Sequence, residues 1–119
     1  MTPRRVVVTG IGALTPIGNN AHDYWTALKN GVSGAAPITL FNAEKFKTQF
    51  ACEVKEFIPT DYLDRKEARK LDRFCQFAMI ASNEAFTDSK LDLNEIDSDR
   101  AGVIWGSGIG GMQTFYTES

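Results

Sequence analysis

Arg5-Val6-Val7-Val8-Thr9-Gly10-Ile11-Gly12-Ala13-Leu14-Thr15 is the stretch that decides the fold class. Val6 to Thr9 is an unbroken β-branched run, which predicts a strand buried on both faces, as in a parallel α/β sheet, and not an alternating edge strand. Gly10 and Gly12 close it in a tight turn. Past the loop that ends at Gly18, Asn19 or Asn20 is placed to cap a helix with Tyr24, Trp25 and Leu28 on its apolar face, and Gly31 stops it. The chain therefore opens with a β-loop-α unit whose first strand belongs to a core.

Working outward, residues 31–41 are rich in Gly, Ala and Pro and read as a connector. Phe50, Cys52 and Val54 then alternate with Ala51, Glu53 and Lys55, a period-two pattern that suits a half-buried strand. That strand falls in an excursion from the main sheet spanning residues 32–70. From 61 to 89 the period becomes helical: Leu71, Phe74, Cys75, Ala78, Ala81, Ala85 and Phe86 share a broad face. Because 64–73 is highly charged, a short charged helix leading into a long buried one is expected. Residues 92–100 are acidic and turn-like. Ala101-Gly102-Val103-Ile104-Trp105 reads as a second strand and ends in Gly106-Ser107-Gly108-Ile109-Gly110-Gly111. Only eight residues, Met112 to Ser119, follow that loop. Strands buried on both faces need more cover than this, so the sequence is expected to be the first part of a longer chain.

Composition narrows the function classes. With 119 residues and 43% hydrophobic content the chain has the make-up of one ordinary globular domain, able to bury about two thirds of its unfolded surface. A formal charge of -2, with charges of both signs mixed along the chain, argues against nucleic acid or a membrane surface as a partner. Cys52 and Cys75 are far apart and His22 stands alone, so no metal-ligand spacing is present and no metal is expected. Both cysteines are expected to be buried small hydrophobes. The basic start Met1-Thr2-Pro3-Arg4-Arg5 precedes an apolar run too short for a signal-peptide core, and no stretch reaches membrane-spanning length. A cytoplasmic protein is expected.

Thr9 to Thr15 follows a strand and precedes a helix, so a dinucleotide-binding turn is one reading. The third glycine is missing, Pro16 interrupts the helix start, and no strand ending in an acid lies about 20 residues on. A tight turn packed by another part of the protein is better supported. The second glycine loop lacks the Lys-Ser or Lys-Thr of a phosphate loop; its glycines indicate unusual backbone angles or close approach, and Ile109 among them points to a pocket wall or subunit contact. Lys66, Arg69, Lys70 and Arg73 recur at i, i+3, i+4 and i+7. Residues 64–73 carry five basic and three acidic side chains, a local +2. By pattern alone this is a solvated face partly neutralised by Glu67 and Asp72; the other reading is a docking site for an acidic partner.

In their order, Arg4-Arg5-Val6-Val7-Val8-Thr9-Gly10 with Thr15-Pro16-Ile17-Gly18, Phe41, Phe50-Ala51, Arg65-Lys66-Glu67-Ala68-Arg69-Lys70-Leu71-Asp72-Arg73-Phe74 and Gly106-Ser107-Gly108-Ile109-Gly110-Gly111 resemble the start of the type II β-ketoacyl-acyl-carrier-protein synthases. The resemblance runs through the whole chain and corresponds to about the first third of such an enzyme. It implies a thiolase-like α/β fold, with this chain the first part of the amino-terminal βαβαβ half, and a homodimer when intact. It implies a reaction in which an acyl group on a cysteine thioester is joined to the carbanion left by decarboxylation of malonyl on the acyl carrier protein. That chemistry needs a nucleophilic thiolate, an oxyanion hole and two histidines. The family nucleophile sits in a Thr-Ala-Cys-type turn absent from this sequence, so no catalytic residue is assigned and no cofactor is implied.

The resemblance does assign Ile109 as the gate of the acyl pocket, with Gly106, Ser107, Gly108, Gly110 and Gly111 as its pocket and dimer loop. It also assigns Lys66, Arg69 and Lys70 to docking of the acidic carrier protein, which overturns the solvated-face reading. Leu71 stands where methionine is more usual, a nearly volume-conserving change. Two other functions remain as alternatives: part of a non-catalytic partner subunit such as a chain-length factor, and a nucleotide-binding α/β module.

Overall fold

The computed structural model describes residues 2–119; Met1, which opens the basic start, lies outside them. The chain divides into two compact units, one formed by residues 13–58 and the other by Pro59–Ser119 with the segment up to Gly12.

The smaller unit is built on helix α1, Ala21–Lys29, and a two-stranded antiparallel sheet, β1 Ala35–Pro37 with β2 Phe50–Cys52. Asn20 caps α1: its side-chain oxygen accepts from the Asp23 amide at 2.8 Å, while its amide donates to the Asp23 carboxylate at 2.7 Å. Gly31 follows the helix with φ of 67°, a conformation that costs a side-chain-bearing residue more than glycine. The anticipated apolar face is not buried. Ala27 is the buried residue of α1, and Trp25 stays 59% exposed with Lys29 over its ring. The strand foreseen around Phe50 is present, and it pairs Ala35 with Cys52 and Pro37 with Phe50. Its partner lies within the stretch read as a connector, because Ala35-Ala36-Pro37 carries no alternation to betray it. Cys52 is exposed, not buried: it lies on the open face of the two-stranded ribbon, whose other face carries the half-buried Ala36 and Ala51.

The larger unit is helical. Helix α2, Arg65–Lys70, follows a single turn at Pro59–Asp61 and leads through Leu71 into α3, Arg73–Ser89. Leu71 has extended backbone angles (φ -102°, ψ 132°), so the charged and the long helix are separate elements, as their composition indicates. Ala68, Gln76, Ile80 and Ala81 are the buried residues of this unit. Lys90, at φ 55°, ends α3 in the left-handed conformation. A last helix, α4, covers Met112–Glu118.

Neither of the two buried strands foreseen at 5–9 and 101–105 is formed. Both segments lack ladder pairing, and Val6 is 91% and Ile104 99% exposed. A β-branched run encodes a preference for extended backbone, but a strand exists only through a hydrogen-bonded neighbour. The described residues give these two segments none. The glycine turn between 9 and 13 does pack as foreseen: a Cβ on Gly10 would stand 2.1 Å from the Ala85 carbonyl oxygen, and one on Gly12 would stand 1.9 Å from that of Ala81. The turn lies directly on the α3 backbone, and the Ile11 amide donates to the Asp88 carboxylate at 2.9 Å.

Candidate functional site

Helix α2 displays the basic residues. Asp64 caps it, accepting from the Lys66 amide at 2.8 Å, and Ala68 is its buried contact. At 100° per residue, Lys66, Arg69 and Lys70 fall within one arc opposite Ala68. All three side chains are exposed. Arg73, the fourth member of the sequence pattern, belongs to α3 and places its guanidinium 5.2 Å from the Phe77 ring centroid. The helix break at Leu71 removes it from the row. A buried residue the sequence did not single out, Gln76, holds α2 in place: its amide donates to the Ala68 carbonyl at 2.8 Å and the Leu71 carbonyl at 3.3 Å. Those acceptors are among the carbonyls a helix end leaves unpaired.

The second glycine loop meets the start of α3 at one end only. Gly110 rests on Phe74, whose ring a Cβ would approach to 2.7 Å. Gly111, at φ 74°, brings the chain to the Asp72 carboxylate, and Thr114 donates its hydroxyl to the same carboxylate. A Cβ added to Gly106 or Gly108 would meet nothing within 4 Å, so the close approach foreseen there is absent within this chain. Ile109 is 76% exposed and lines a recess of about 410 Å³ with Asp72, Phe74 and Thr114. Lys66, Arg69 and Lys70 lie on the helix that ends two residues before Asp72, in the same unit as the glycine loop.

Cys52 is exposed on β2, and Cys75 is half-buried on α3. Among the described residues no three His, Cys, Asp or Glu side chains converge on a metal position. No described helix is long and apolar enough to cross a membrane. The first glycine turn leaves no space for a pyrophosphate at Gly10 and Gly12, because the α3 backbone fills it.

A loop-rich α/β chain with an exposed basic helix and a glycine loop resting on the start of α3 matches one family over nearly its whole length. Residues 3–119 fit the model of the β-ketoacyl synthase N-terminal domain, and the chain belongs to that family. Its fold is accordingly that of the amino-terminal part of a thiolase-like condensing enzyme.

Among particular relatives, it is 53% identical over 110 residues to 3-oxoacyl-[acyl-carrier-protein] synthase 2 of Synechocystis sp., covering 92% of this chain and 26% of the relative. It is 52% identical over 112 residues to the synthase 2 of Coxiella burnetii, covering 94% of this chain and 27% of the relative. A solved ishigamide ketosynthase/chain length factor superposes with a TM-score of 0.69 at 36% identity, over 78% of this chain and 23% of that one. A type II polyketide ketosynthase solved in complex with its acyl-carrier protein shares the fold, with a TM-score of 0.56 at 23% identity over 76% of this chain and 23% of that one. The chain thus spans about a quarter of the length of the synthases it matches.

Proposed function

We propose that the full-length protein carrying this chain is a fatty-acid-elongating condensing enzyme, a 3-oxoacyl-acyl-carrier-protein synthase of the second type, acting as a cytoplasmic homodimer. What carries the reading is the 53% and 52% identity with two synthases across nearly all of this sequence. In the reaction, the carbon–carbon bond to the malonyl carboxyl group breaks and carbon dioxide leaves. The electron pair stays on the thioester α-carbon, which attacks the enzyme-bound acyl carbonyl and expels the cysteine thiolate. The product is a 3-oxoacyl group on the carrier protein.

The 119 residues supply none of the bond-making groups in this scheme. Their contribution is to bind. Lys66, Arg69 and Lys70 form a cationic arc whose charge complements an acidic carrier and steers its approach. Capping by Asp64 and the Gln76 bonds fix the helix that bears them, which lowers the cost of ordering that surface when a partner docks. Ile109, on the glycine loop, gates the acyl pocket, and Gly106, Ser107, Gly108, Gly110 and Gly111 form the pocket and dimer wall around it. Open space at Gly106 and Gly108 leaves room for another surface to come close there.

The test is the triple variant Lys66→Glu, Arg69→Glu, Lys70→Glu in the full-length protein. KM for carrier-bound substrates should rise by about tenfold or more, as expected when several interface charges are reversed, while KM for a small thioester surrogate stays within about twofold. An equal loss for both substrates contradicts docking on this face. A second reading, a non-catalytic chain-length partner, is favoured only by the similarity to the ketosynthase/chain length factor. It predicts no condensation by the protein alone.

A further inference from the structure

We propose that the Asp72 carboxylate and the Thr114 hydroxyl form a latch that positions the glycine loop, and that the latch sets acyl-chain selectivity by holding Ile109 in place; this rests on the reading of Ile109 as the pocket gate. Asp72 occupies the cap position before α3, where a carboxylate ordinarily accepts from amides of the first helical turn. It makes no such bond. It accepts instead from Thr114, in the first turn of α4 and 42 residues further along the chain. The helix cap is given up for a contact that ties two distant segments together.

The geometry around that bond concentrates on one side of Ile109. Immediately after it, Gly110 lies on the Phe74 ring and Gly111 places its backbone so that a Cβ would be 2.9 Å from an Asp72 oxygen. Immediately before it, a Cβ on Gly108 would meet nothing within 4 Å, and the same holds at Gly106. Ile109 is therefore the last residue of a segment without close neighbours and the first before an anchored one. Its position is governed from the anchored side, and the hydrogen bond from Thr114 to Asp72 spans that anchor. Asp72 lies against the loop at Gly111 and Thr114 holds Asp72, so both act as positioning residues for the loop.

Selectivity is the property to measure, because loss of a purely structural bond would lower turnover of short and long acyl groups alike. In the full-length protein, kcat/KM is determined for one short and one long acyl-carrier substrate with malonyl-carrier protein. Thr114→Val should change the ratio of the two by about fivefold, the scale of one hydrogen bond, while Thr114→Ser restores the parent ratio. Thr114→Ala serves the same purpose if the valine variant does not fold. Ile109→Phe, measured alongside, must also change the ratio. A ratio altered by Ile109→Phe but not by loss of the Thr114 hydroxyl overturns the latch and leaves the gate standing. A ratio unmoved by either overturns the gate reading and the latch with it.

Discussion

Gly12 shows how much one hydrogen atom in place of a methyl group decides. A Cβ there would sit 1.9 Å from the Ala81 carbonyl oxygen, and the obstacle is helix backbone, which cannot rotate away. Gly12→Ala should therefore lower the stability of the full-length protein by about 2 kcal/mol or more, read as a lowered midpoint in denaturant, with overpacking as the cause. Gln76 makes the opposite case, a side chain whose value lies in its polar end. Gln76→Leu keeps the bulk but leaves the Ala68 and Leu71 carbonyls without their partner, at a cost of about 1–3 kcal/mol. The same measurement checks it: an unchanged midpoint would mean that water replaces the amide freely. The two residues were not equally legible. A glycine pair after a strand-like run announces close packing from its spacing, and Gly10 and Gly12 do lie on α3. A glutamine inside a helix reads as one more polar residue until the carbonyls it serves are placed next to it.

Helices α1 to α3 were more legible than the strands, though α4 was not foreseen, and the difference lies in where each finds its hydrogen bonds. Helix α1 carries its own start in Asn20 and Asp23, and α2 and α3 carry theirs in a charged run, an extended Leu71 and a long apolar period. Replacing Asn20 by Ala should cost about 1 kcal/mol, the usual worth of such a cap, measurable as a loss of stability in the full-length protein. No effect would mean that tertiary packing alone holds α1. The runs at 5–9 and 101–105 have the composition of buried strands, yet pairing partners cannot be read from composition, and the described residues offer them none. The small β1–β2 ribbon was half seen: Phe50-Ala51-Cys52 alternates, whereas Ala35-Ala36-Pro37 is too bland to signal a strand. The same limit applies to the row of cations, where Arg73 fits the spacing but stands on a different helix.

At the scale of the molecule, the chain keeps much apolar surface in the open. Its buried apolar residues are mainly alanines with Ile80, while Val6, Val8, Val103, Ile104 and Phe115 are exposed. The β-branched runs around Val6 and Val103 are apolar enough to be covered if further chain pairs with them. Backbone amides at 6–8 and 102–105 should therefore exchange on the order of a hundredfold more slowly in the full-length protein than in the 119-residue chain alone, because pairing and burial protect them. Equal exchange rates would show that these runs remain unpaired throughout. Family membership rests on the match of residues 3–119 to the β-ketoacyl synthase N-terminal domain, and the ordered motifs that point to the same family were visible in the sequence. The latch between Asp72 and Thr114 was not, because it joins residues 42 positions apart.

Condensation itself is the decisive observation. The full-length protein is mixed with acyl-loaded and malonyl-loaded carrier protein, and the intact mass of the carrier is followed. Malonyl-carrier protein should become 3-oxoacyl-carrier protein with release of one equivalent of carbon dioxide, at a rate that the charge-reversed α2 face slows. Malonyl-carrier protein that remains unchanged, with an acyl-loaded partner present and the protein folded, would contradict the assignment as a condensing enzyme.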